Sequence, residues 1–187
     1  MKMLEKSLEL KIQGRTARVG IIGLGYVGLP LAVEAAKAGF SVLGVDTDAA
    51  RCAGVNRGES HIADVHSQVV RRLVETESLT ATASYDALRT ADVIIICVPT
   101  PLTKSKEPDL SYVVAAANAC VPILRPECLV ILESTTYPGT TVEVVKPALE
   151  AGGLRAGSDF HLAFSPERID PGNKTTPSGT SPRSWAG

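Results

Sequence analysis

The sequence has few aromatic residues and no excess of either charge, and each shortage excludes a class of protein. Phe, Trp and Tyr make up 4% of the 187 residues, so the core must be built from Ala, Val, Ile and Leu, as in parallel sheets covered by helices. A formal net charge of −1 offers no basic surface, so we expect no nucleic-acid partner. No apolar run approaches the roughly 18 residues of a membrane span. The N-terminal segment also lacks the continuous apolar stretch of a signal peptide.

Cysteine frameworks are missing as well. The four cysteines show no C-x-x-C pairing and no nearby histidine at ligand spacing; they are Cys52, Cys97, Cys120 and Cys128. Three of them lie in apolar runs, where a cysteine is usually a small buried hydrophobic side chain. We therefore expect no metal site, no disulfide, no membrane partner and a cytoplasmic location.

Short apolar runs alternate with segments of helical periodicity along most of the chain. Strands are predicted at residues 18–22, 41–46, 79–83, 93–98, 128–132 and 161–164. Helices are predicted at residues 26–38, 49–57, 66–75, 112–124 and 140–151. Gly39 is expected to close the first helix, and Ser84 to cap a short helical turn. The alternation predicts an α/β fold, a doubly wound and mostly parallel sheet of the Rossmann type in a single domain.

A glycine motif follows the first predicted strand, in the segment RVGIIGLGYVGLP. In this G-x-G-x-x-G pattern, Gly23 permits a tight turn, Gly25 lets the backbone approach a pyrophosphate and Gly28 allows close packing of helix on strand. The N–H groups at the start of the helix would face the phosphates. Tyr26 and Val27, between the glycines, complete the predicted phosphate-binding segment.

A carboxylate at the end of the second strand supports this interpretation. Asp46 lies 18 positions beyond Gly28, where a carboxylate would accept hydrogen bonds from the adenosine ribose hydroxyls. It would also repel the 2′-phosphate of NADP, and Arg51, the nearby base, is predicted to line the adenine side. The glycines alone could be ordinary turn residues, but with strand, turn, helix and acid in register the sequence predicts an NAD site.

Six motifs in order resemble the N-terminal domain of the nucleotide-sugar 6-dehydrogenases, the UDP-glucose/GDP-mannose dehydrogenase family. They are GLGYVGLPLA, VDTD, RGESHI, VIIICVPTPL with EPDLSYV, LESTTYPGTT and FSPERIDPGNK. The PER…PG form resembles the branch that acts on UDP-N-acetylglucosamine or UDP-N-acetylmannosamine, whereas the UDP-glucose branch typically carries N-P-E-F. Members of the family use two NAD molecules in succession to oxidise a C6 alcohol to a carboxylate. The resemblance therefore implies a role in making UDP-sugar acids for polysaccharides.

The resemblance also implies roles for residues at two strand ends. Pro99 and Thr100 end a central strand where open α/β sheets bind ligands, and the resemblance places Thr100 against the nicotinamide half of NAD. Thr135 matches the family threonine near the nicotinamide and a reactive-site water. Without the family, the alternative is that residues 134–136 are helix caps.

The SPER segment matches the substrate edge of the family site. Glu167 matches a glutamate proposed as general base or as the residue that orients the hydrolytic water, and desolvation in a closed cleft would raise the pKa of such a carboxyl. Arg168 and Ile169 match substrate-contacting positions. The alternative for Arg168 is a surface ion pair with Asp170.

The family pattern extends beyond this chain. Family members are more than twice as long, with a dimerising helix, a second α/β domain for the UDP moiety and a catalytic cysteine in a G-F-G-G-x-C motif, none of which the sequence contains. We therefore expect a cofactor half-site with a partial UDP-sugar site, inactive alone and lacking the helix through which the family forms homo-oligomers. The expected organisation is an N-terminal extension at 1–16, the NAD-binding domain at 17–174 and a disordered tail at 175–187.

The tail itself departs from the family after Lys174. Members continue with a sequence similar to TYPIRNIPKVVGG, and loss of one base from the codon after that of Thr175 converts a suitable coding sequence into TTPSGTSPRSWAG, the sequence observed. We therefore expect that a frameshift produced residues 175–187. A natural polar linker is the competing interpretation.

Two other functions stay open at this stage. A non-catalytic NAD-binding module or sensor would have the same fold and glycine motif. Another Rossmann dehydrogenase, of the hydroxy-acid or 6-phosphogluconate type, would share the glycine motif but not the VPTP, ESTTYPG and SPER set.

Overall fold

A six-stranded, all-parallel sheet forms the centre of the protein. The computed structural model describes residues 2–104 and 107–166, with side chains from residue 7 onward. The strands lie in the order β3-β2-β1-β4-β5-β6. They are β1 Arg18–Ile22, β2 Ser41–Val45, β3 Leu79–Thr82, β4 Val93–Ile96, β5 Leu129–Leu132 and β6 His161–Phe164.

Helices cover both faces of the sheet. They are α1 Lys2–Gln13, α2 Gly28–Lys37, α3 Ala49–Asn56, α4 Ser67–Glu75, α5 Ser111–Cys120 and α6 Lys146–Glu150, with a 3₁₀ helix at Tyr85–Thr90 and a π-helical turn at Thr141–Val145. Among the described residues, no helix is long and apolar enough to cross a membrane.

Strand β4 shows why this apolar sequence forms a central strand. Val93 and Ile95 pack into a core with α2, α3 and α4, whereas Ile94 and Ile96 pack into a second core with α5 and α6. Because both faces are covered, the strand is apolar at every position instead of alternating. Each such side chain contributes about 1.5–3 kcal/mol when fully buried.

The predicted fold class is confirmed, and the predicted strands and helices differ from the observed ones at their ends, except that the helix predicted at 140–151 is a π-helical turn followed by α6. Gly39 closes α2 with φ +96°, as predicted. Ser84 occupies the N-cap position of the 3₁₀ helix, as predicted, but its side chain makes no capping hydrogen bond. The predicted domain limits stay a prediction, and residues 167–187 lie outside the described part of the chain.

Helix α1 was not among the predicted elements. Its Leu8 is buried and Ile12 packs against the α2–α4 core, while the Lys11 ammonium donates to the Asp92 carboxylate at 2.9 Å. The helix is therefore anchored to the sheet by contacts with residues far along the chain.

Candidate functional site

The strand order creates a crevice between β1 and β4. Strand β1 continues into α2 on one face and β4 leads to α5 on the other, so the connections diverge at the carboxyl ends of these two strands. Open parallel sheets bind ligands at such a switch point. The predicted glycine segment and the predicted VPTP segment both lie there.

The three glycines of the motif have different surroundings. Gly23 has φ +92°, and a Cβ there would lie 2.6 Å from the Cys97 carbonyl oxygen. A Cβ on Gly28 would lie 1.7 Å from the Gly23 carbonyl oxygen, so the turn and the helix can approach only because side chains are absent. A Cβ on Gly25 would meet nothing within 4 Å. The loop therefore leaves open space at Gly25, where a ligand can reach the backbone.

The amino end of α2 opens onto the same space. Val27 occupies the N-cap position, and no side chain makes a capping hydrogen bond there. Tyr26, beside it, is 67% exposed. First-turn N–H groups without a side-chain cap, together with the positive end of the helix dipole, suit an anion such as a diphosphate.

Asp46 stands directly after β2 and is 7% exposed. One carboxylate oxygen, Oδ2, accepts the Leu24 N–H at 2.8 Å and an Arg51 guanidinium N–H at 2.8 Å. The other, Oδ1, accepts the Asp48 N–H at 2.9 Å. A carboxylate oxygen can accept about two hydrogen bonds. Among the described contacts, Oδ1 thus has an acceptor position left for a hydroxyl group.

The surroundings of Asp46 keep it ionised. Burial by itself would raise the pKa of the carboxyl, but the N–H groups of Asp48 and Leu24 and the Arg51 guanidinium outweigh burial and hold this pKa below its ordinary value. The charged form is the one that accepts hydrogen bonds from ribose hydroxyls, so the site is poised for that contact at neutral pH.

Arg51 lies against Asp46, closer to the carboxylate than the sequence suggested. Its guanidinium also lies 3.9 Å from the Asp48 carboxylate, and its side chain is 34% exposed. Asp48 in turn accepts the Arg51 N–H at 3.0 Å and so caps α3. Because Arg51 offsets part of the negative charge of Asp46, the predicted rejection of a 2′-phosphate depends on the balance of the two groups.

His61 contributes to the glycine loop, a role that sequence reasoning missed. Its Nε2 donates to the Leu24 carbonyl at 2.7 Å, while Asp46 holds the Leu24 N–H. Both polar groups of that residue are therefore fixed by side chains from outside the loop. The RGESHI motif marks His61 in the sequence, but nothing in the motif indicates that its partner is the Leu24 carbonyl.

The carboxyl ends of β4 and β5 form the other side of the crevice. The Thr100 hydroxyl donates to the Thr135 carbonyl at 2.5 Å, and the Ser134 hydroxyl donates to the Val98 carbonyl at 2.8 Å. Ser134 is therefore not a helix cap. The Thr100–Thr135 hydrogen bond brings the predicted nicotinamide-side residues together at one edge of the sheet. Pro99 and Thr135 are exposed to solvent there.

A π-helical turn follows this edge at Thr141–Val145. Thr140, just before it, is buried and donates its hydroxyl to the Tyr137 carbonyl at 2.8 Å. The predicted single helix at 140–151 is thus a π-helical turn running into α6. Turns of this kind are frequent at functional sites.

The remaining predicted site residues are Glu167, Arg168 and Ile169, which lie outside the described residues. All four cysteines are free and buried. Burial raises the pKa of both Cys120 and Cys128 to about 12, so these two remain thiols at neutral pH. Within the described ranges, no cluster of three or more His, Cys, Asp or Glu side chains could hold a metal ion.

A groove of about 940 Å³ also lies between α2 and α4. It is at the amino end of the sheet, where Lys37, Arg72 and Thr76 contribute to its walls. Ligand sites of open parallel sheets lie at the opposite end, and the glycine loop and Asp46 are both there. We therefore place the functional site at the carboxyl ends despite the size of this groove.

Fold and site together define an NAD-binding Rossmann domain of a dehydrogenase. Residues 17–183 match the family described as UDP-glucose/GDP-mannose dehydrogenase family, NAD binding domain. The chain belongs to this family, and NAD is the cofactor of the domain.

Relatives give the same assignment. The chain is 41% identical over 158 residues to UDP-N-acetyl-D-glucosamine 6-dehydrogenase of Pseudomonas aeruginosa, covering 84% of this chain and 36% of the relative. It is 39% identical over 158 residues to UDP-N-acetyl-D-mannosamine dehydrogenase of Pyrococcus horikoshii, covering 83% and 37%. The chain thus spans little more than a third of the length of these relatives.

Solved structures agree with the sequence comparison. The UDP-D-ManNAc dehydrogenase structure from Pyrococcus horikoshii superposes with a TM-score of 0.77 at 37% identity, covering 83% of this chain and 37% of that one. A ternary complex of GDP-mannose dehydrogenase from Pseudomonas aeruginosa gives a TM-score of 0.78 at 32% identity, covering 82% and 37%.

Proposed function

We propose that the chain supplies the NAD-binding part of a dehydrogenase that oxidises the C6 alcohol of a UDP-N-acetylhexosamine to the carboxylate. The names of the relatives from Pseudomonas aeruginosa and Pyrococcus horikoshii support this substrate class, as does the PER…PG form of the last motif. The observation that carries the proposal is the ionised Asp46 beside a glycine loop that is open at Gly25. An alcohol oxidation needs a hydride acceptor, and these residues fit a dinucleotide.

The adenosine and diphosphate half of NAD is assigned to the first two strands. The backbone from Gly23 to Gly28, including Tyr26 and Val27, receives the diphosphate at the start of α2. Asp46 accepts hydrogen bonds from the ribose hydroxyls, and Arg51 flanks the adenosine. This assignment is supported by the open space at Gly25 and by the uncapped start of α2.

The nicotinamide half is assigned to the carboxyl ends of β4 and β5. Pro99 and Thr100 line it from one strand, and Thr135 lines it from the other and holds a water at the reacting centre. NAD, when bound, accepts a hydride from the substrate carbon. Glu167 orients or deprotonates the hydrolytic water, and Arg168 with Ile169 contacts the UDP-sugar; these three roles come from the family motif alone.

The cytoplasm is the compartment that we propose, and a UDP-sugar is the proposed partner. All four cysteines are free thiols rather than disulfides, which suits a reducing compartment.

The first test is to titrate the purified chain with NAD and with NADP in an isothermal titration calorimeter. We expect saturable binding of NAD and weaker binding of NADP, because the carboxylate of Asp46 faces the ribose. Failure of the folded chain to bind NAD would contradict the proposal.

A chimera tests the activity. The chain through Lys174 is fused to the remaining C-terminal part of the Pseudomonas aeruginosa relative, and NADH formation is followed with UDP-N-acetylglucosamine and UDP-N-acetylmannosamine. We expect turnover of at least one of them, and a matched chimera carrying Gly23→Val should be inactive, since a side chain there meets the Cys97 carbonyl. NAD binding without turnover in the chimera would favour a non-catalytic NAD module.

A further inference from the structure

The loops after β4 and β5 are tied to each other by two side-chain hydroxyls in opposite directions. Ser134, in the loop after β5, donates to the Val98 carbonyl at 2.8 Å. Thr100, in the loop after β4, donates to the Thr135 carbonyl at 2.5 Å. Each loop thus supplies one donor and one backbone acceptor to the other. We call this pair of hydrogen bonds the hydroxyl brace.

The hydroxyl brace lies just beyond the point where backbone hydrogen bonds between β4 and β5 end. The last backbone bond between them in the described residues joins the Glu133 N–H to the Ile96 carbonyl at 2.9 Å. Beyond it, the Val98 carbonyl, on the same side of β4 as the Ile96 carbonyl, accepts from the Ser134 hydroxyl. In the described residues a side-chain hydroxyl therefore takes over from the backbone donors at this point.

The two hydroxyls of the brace differ in burial. Ser134 is 4% exposed and lies 3.4 Å from the Ile96 carbonyl as well, so its hydroxyl is directed at β4 and is shielded from water. Thr100 is half-buried and Thr135 is exposed, so water can replace their hydrogen bond more readily. Loss of the Ser134 hydrogen bond should therefore cost more free energy than loss of the Thr100 hydrogen bond.

We infer that Ser134 is a positioning residue for the nicotinamide half of the cofactor site. It holds the Val98 carbonyl, and through it the Pro99–Thr100 backbone, at a fixed distance from Thr135, without touching the cofactor itself. This inference rests on the proposed function, which assigns Pro99, Thr100 and Thr135 to the nicotinamide side. It adds the group that sets their spacing.

The test compares two ligands that differ only in the nicotinamide ring. Ser134→Ala is made in the full chain, and Kd is measured for NAD and for ADP-ribose. We expect the Kd of NAD to rise about fivefold, since one hydrogen bond contributes about 1 kcal/mol. The Kd of ADP-ribose should stay within about twofold, because its contacts lie at the glycine loop and Asp46. A general loss of stability would weaken the binding of both ligands to the same extent.

Three further variants make the test decisive. Ser134→Thr keeps the hydroxyl and should restore the ratio of the two Kd values. Ser134→Cys replaces the hydroxyl with a thiol, a much weaker donor, and should also weaken the binding of NAD alone; it serves if Ser134→Ala fails to fold. Thr76→Val deletes a hydroxyl that donates to the Arg72 carbonyl at 3.0 Å, at the amino end of the sheet, and should change neither Kd.

The outcomes separate the inference from the function on which it rests. An unchanged ratio of the NAD and ADP-ribose Kd values in Ser134→Ala, or in Ser134→Cys if the alanine variant does not fold, would overturn the role of Ser134 while leaving NAD binding intact. A wild-type chain that is folded but binds neither ligand would overturn the proposed function itself.

Discussion

Two aspartates at opposite ends of the sheet have nearly the same local chemistry. Asp46 follows β2 at the carboxyl end and Asp92 precedes β4 at the amino end, and each is 7% exposed. Each accepts a guanidinium hydrogen bond, from Arg51 at 2.8 Å and from Arg125 at 2.6 Å. Each also accepts at least one backbone N–H. In both, these hydrogen bonds outweigh burial and hold the carboxyl pKa below its ordinary value.

The difference lies in what stands next to each carboxylate. Beside Asp46 the loop is open at Gly25, and among the described contacts the carboxylate oxygen Oδ1 accepts a single hydrogen bond, from a backbone N–H. At Asp92, two cations share one carboxylate oxygen, because Lys11 of α1 donates to Oδ1 at 2.9 Å and Arg125 donates to it at 2.6 Å, and both cations line the cavity of about 150 Å³ beside it. The same chemistry therefore belongs to the proposed ligand site at one end of the sheet and to a structural anchor at the other. The position on a parallel sheet decides between them.

Removing the Asp92 carboxylate should have the largest effect on stability. We expect Asp92→Ala to lower the free energy of unfolding by about 3 kcal/mol, because Lys11, Arg125 and the Arg18 N–H lose a shared, buried acceptor. Urea denaturation followed by circular dichroism measures it. The folded fraction should bind NAD with unchanged Kd.

A surface ion pair provides the matched control. The Arg57 guanidinium nitrogen Nη2 lies 2.7 Å from the Glu59 carboxylate oxygen Oε2, and both side chains are more than half exposed. Glu59→Ala should therefore leave the urea midpoint unchanged. Equal losses in Asp92→Ala and Glu59→Ala would show that Asp92 is not an anchor.

Removing the Asp46 carboxylate should weaken cofactor binding in addition to lowering stability, because the Leu24 and Asp48 N–H groups also lose their acceptor. We expect Asp46→Ala to raise the Kd of NAD roughly thirtyfold, since a hydrogen bond to a charged group contributes about 2 kcal/mol. Arg51 would then stand without its carboxylate partner, so the preference for NAD over NADP should narrow. Calorimetric titration with both cofactors measures the two effects. If Asp92→Ala weakens NAD binding as much as Asp46→Ala does, the division between ligand site and anchor is wrong.

The ligand side of this comparison was predictable from sequence because its signals are local. Strand, glycine turn, helix and Asp46 follow each other within one βαβ unit, and each has a residue type that the geometry requires. The sheet itself followed from apolar runs such as 93–96, which must be buried on both faces.

The anchor and the hydroxyl brace were not predictable, since both depend on distant partners. Lys11 and Asp92 are 81 positions apart, and the charges of the N-terminal segment concealed the Leu8–Ile12 face of α1. For Ser134, a helix cap and a bond across to the neighbouring strand look the same in sequence. Only the packing of β5 beside β4 distinguishes them.

Lowering the pH should protonate both aspartates and reduce the free energy of unfolding, and this is the smallest of the three expected effects. The ordinary pKa is 3.8, and the folded protein holds the Asp92 pKa below it. The unfolded chain therefore binds more protons between these two values, and stability falls as pH falls through this window. We expect the free energy of unfolding of the wild type to decrease from about pH 5 to pH 3, and that of Asp92→Asn to decrease less.

The same titration distinguishes the two ends of the sheet when NAD affinity is measured in place of stability. Protonation of Asp46 removes the charged acceptor for the ribose, so the NAD affinity of the wild type and of Asp92→Asn should fall together in acid. Asp46→Asn has no carboxylate to protonate there, and its weaker affinity should change less over the same range. Parallel acid profiles for all three proteins would mean that another group controls cofactor binding, and the assignment of Asp46 to the ribose would be wrong.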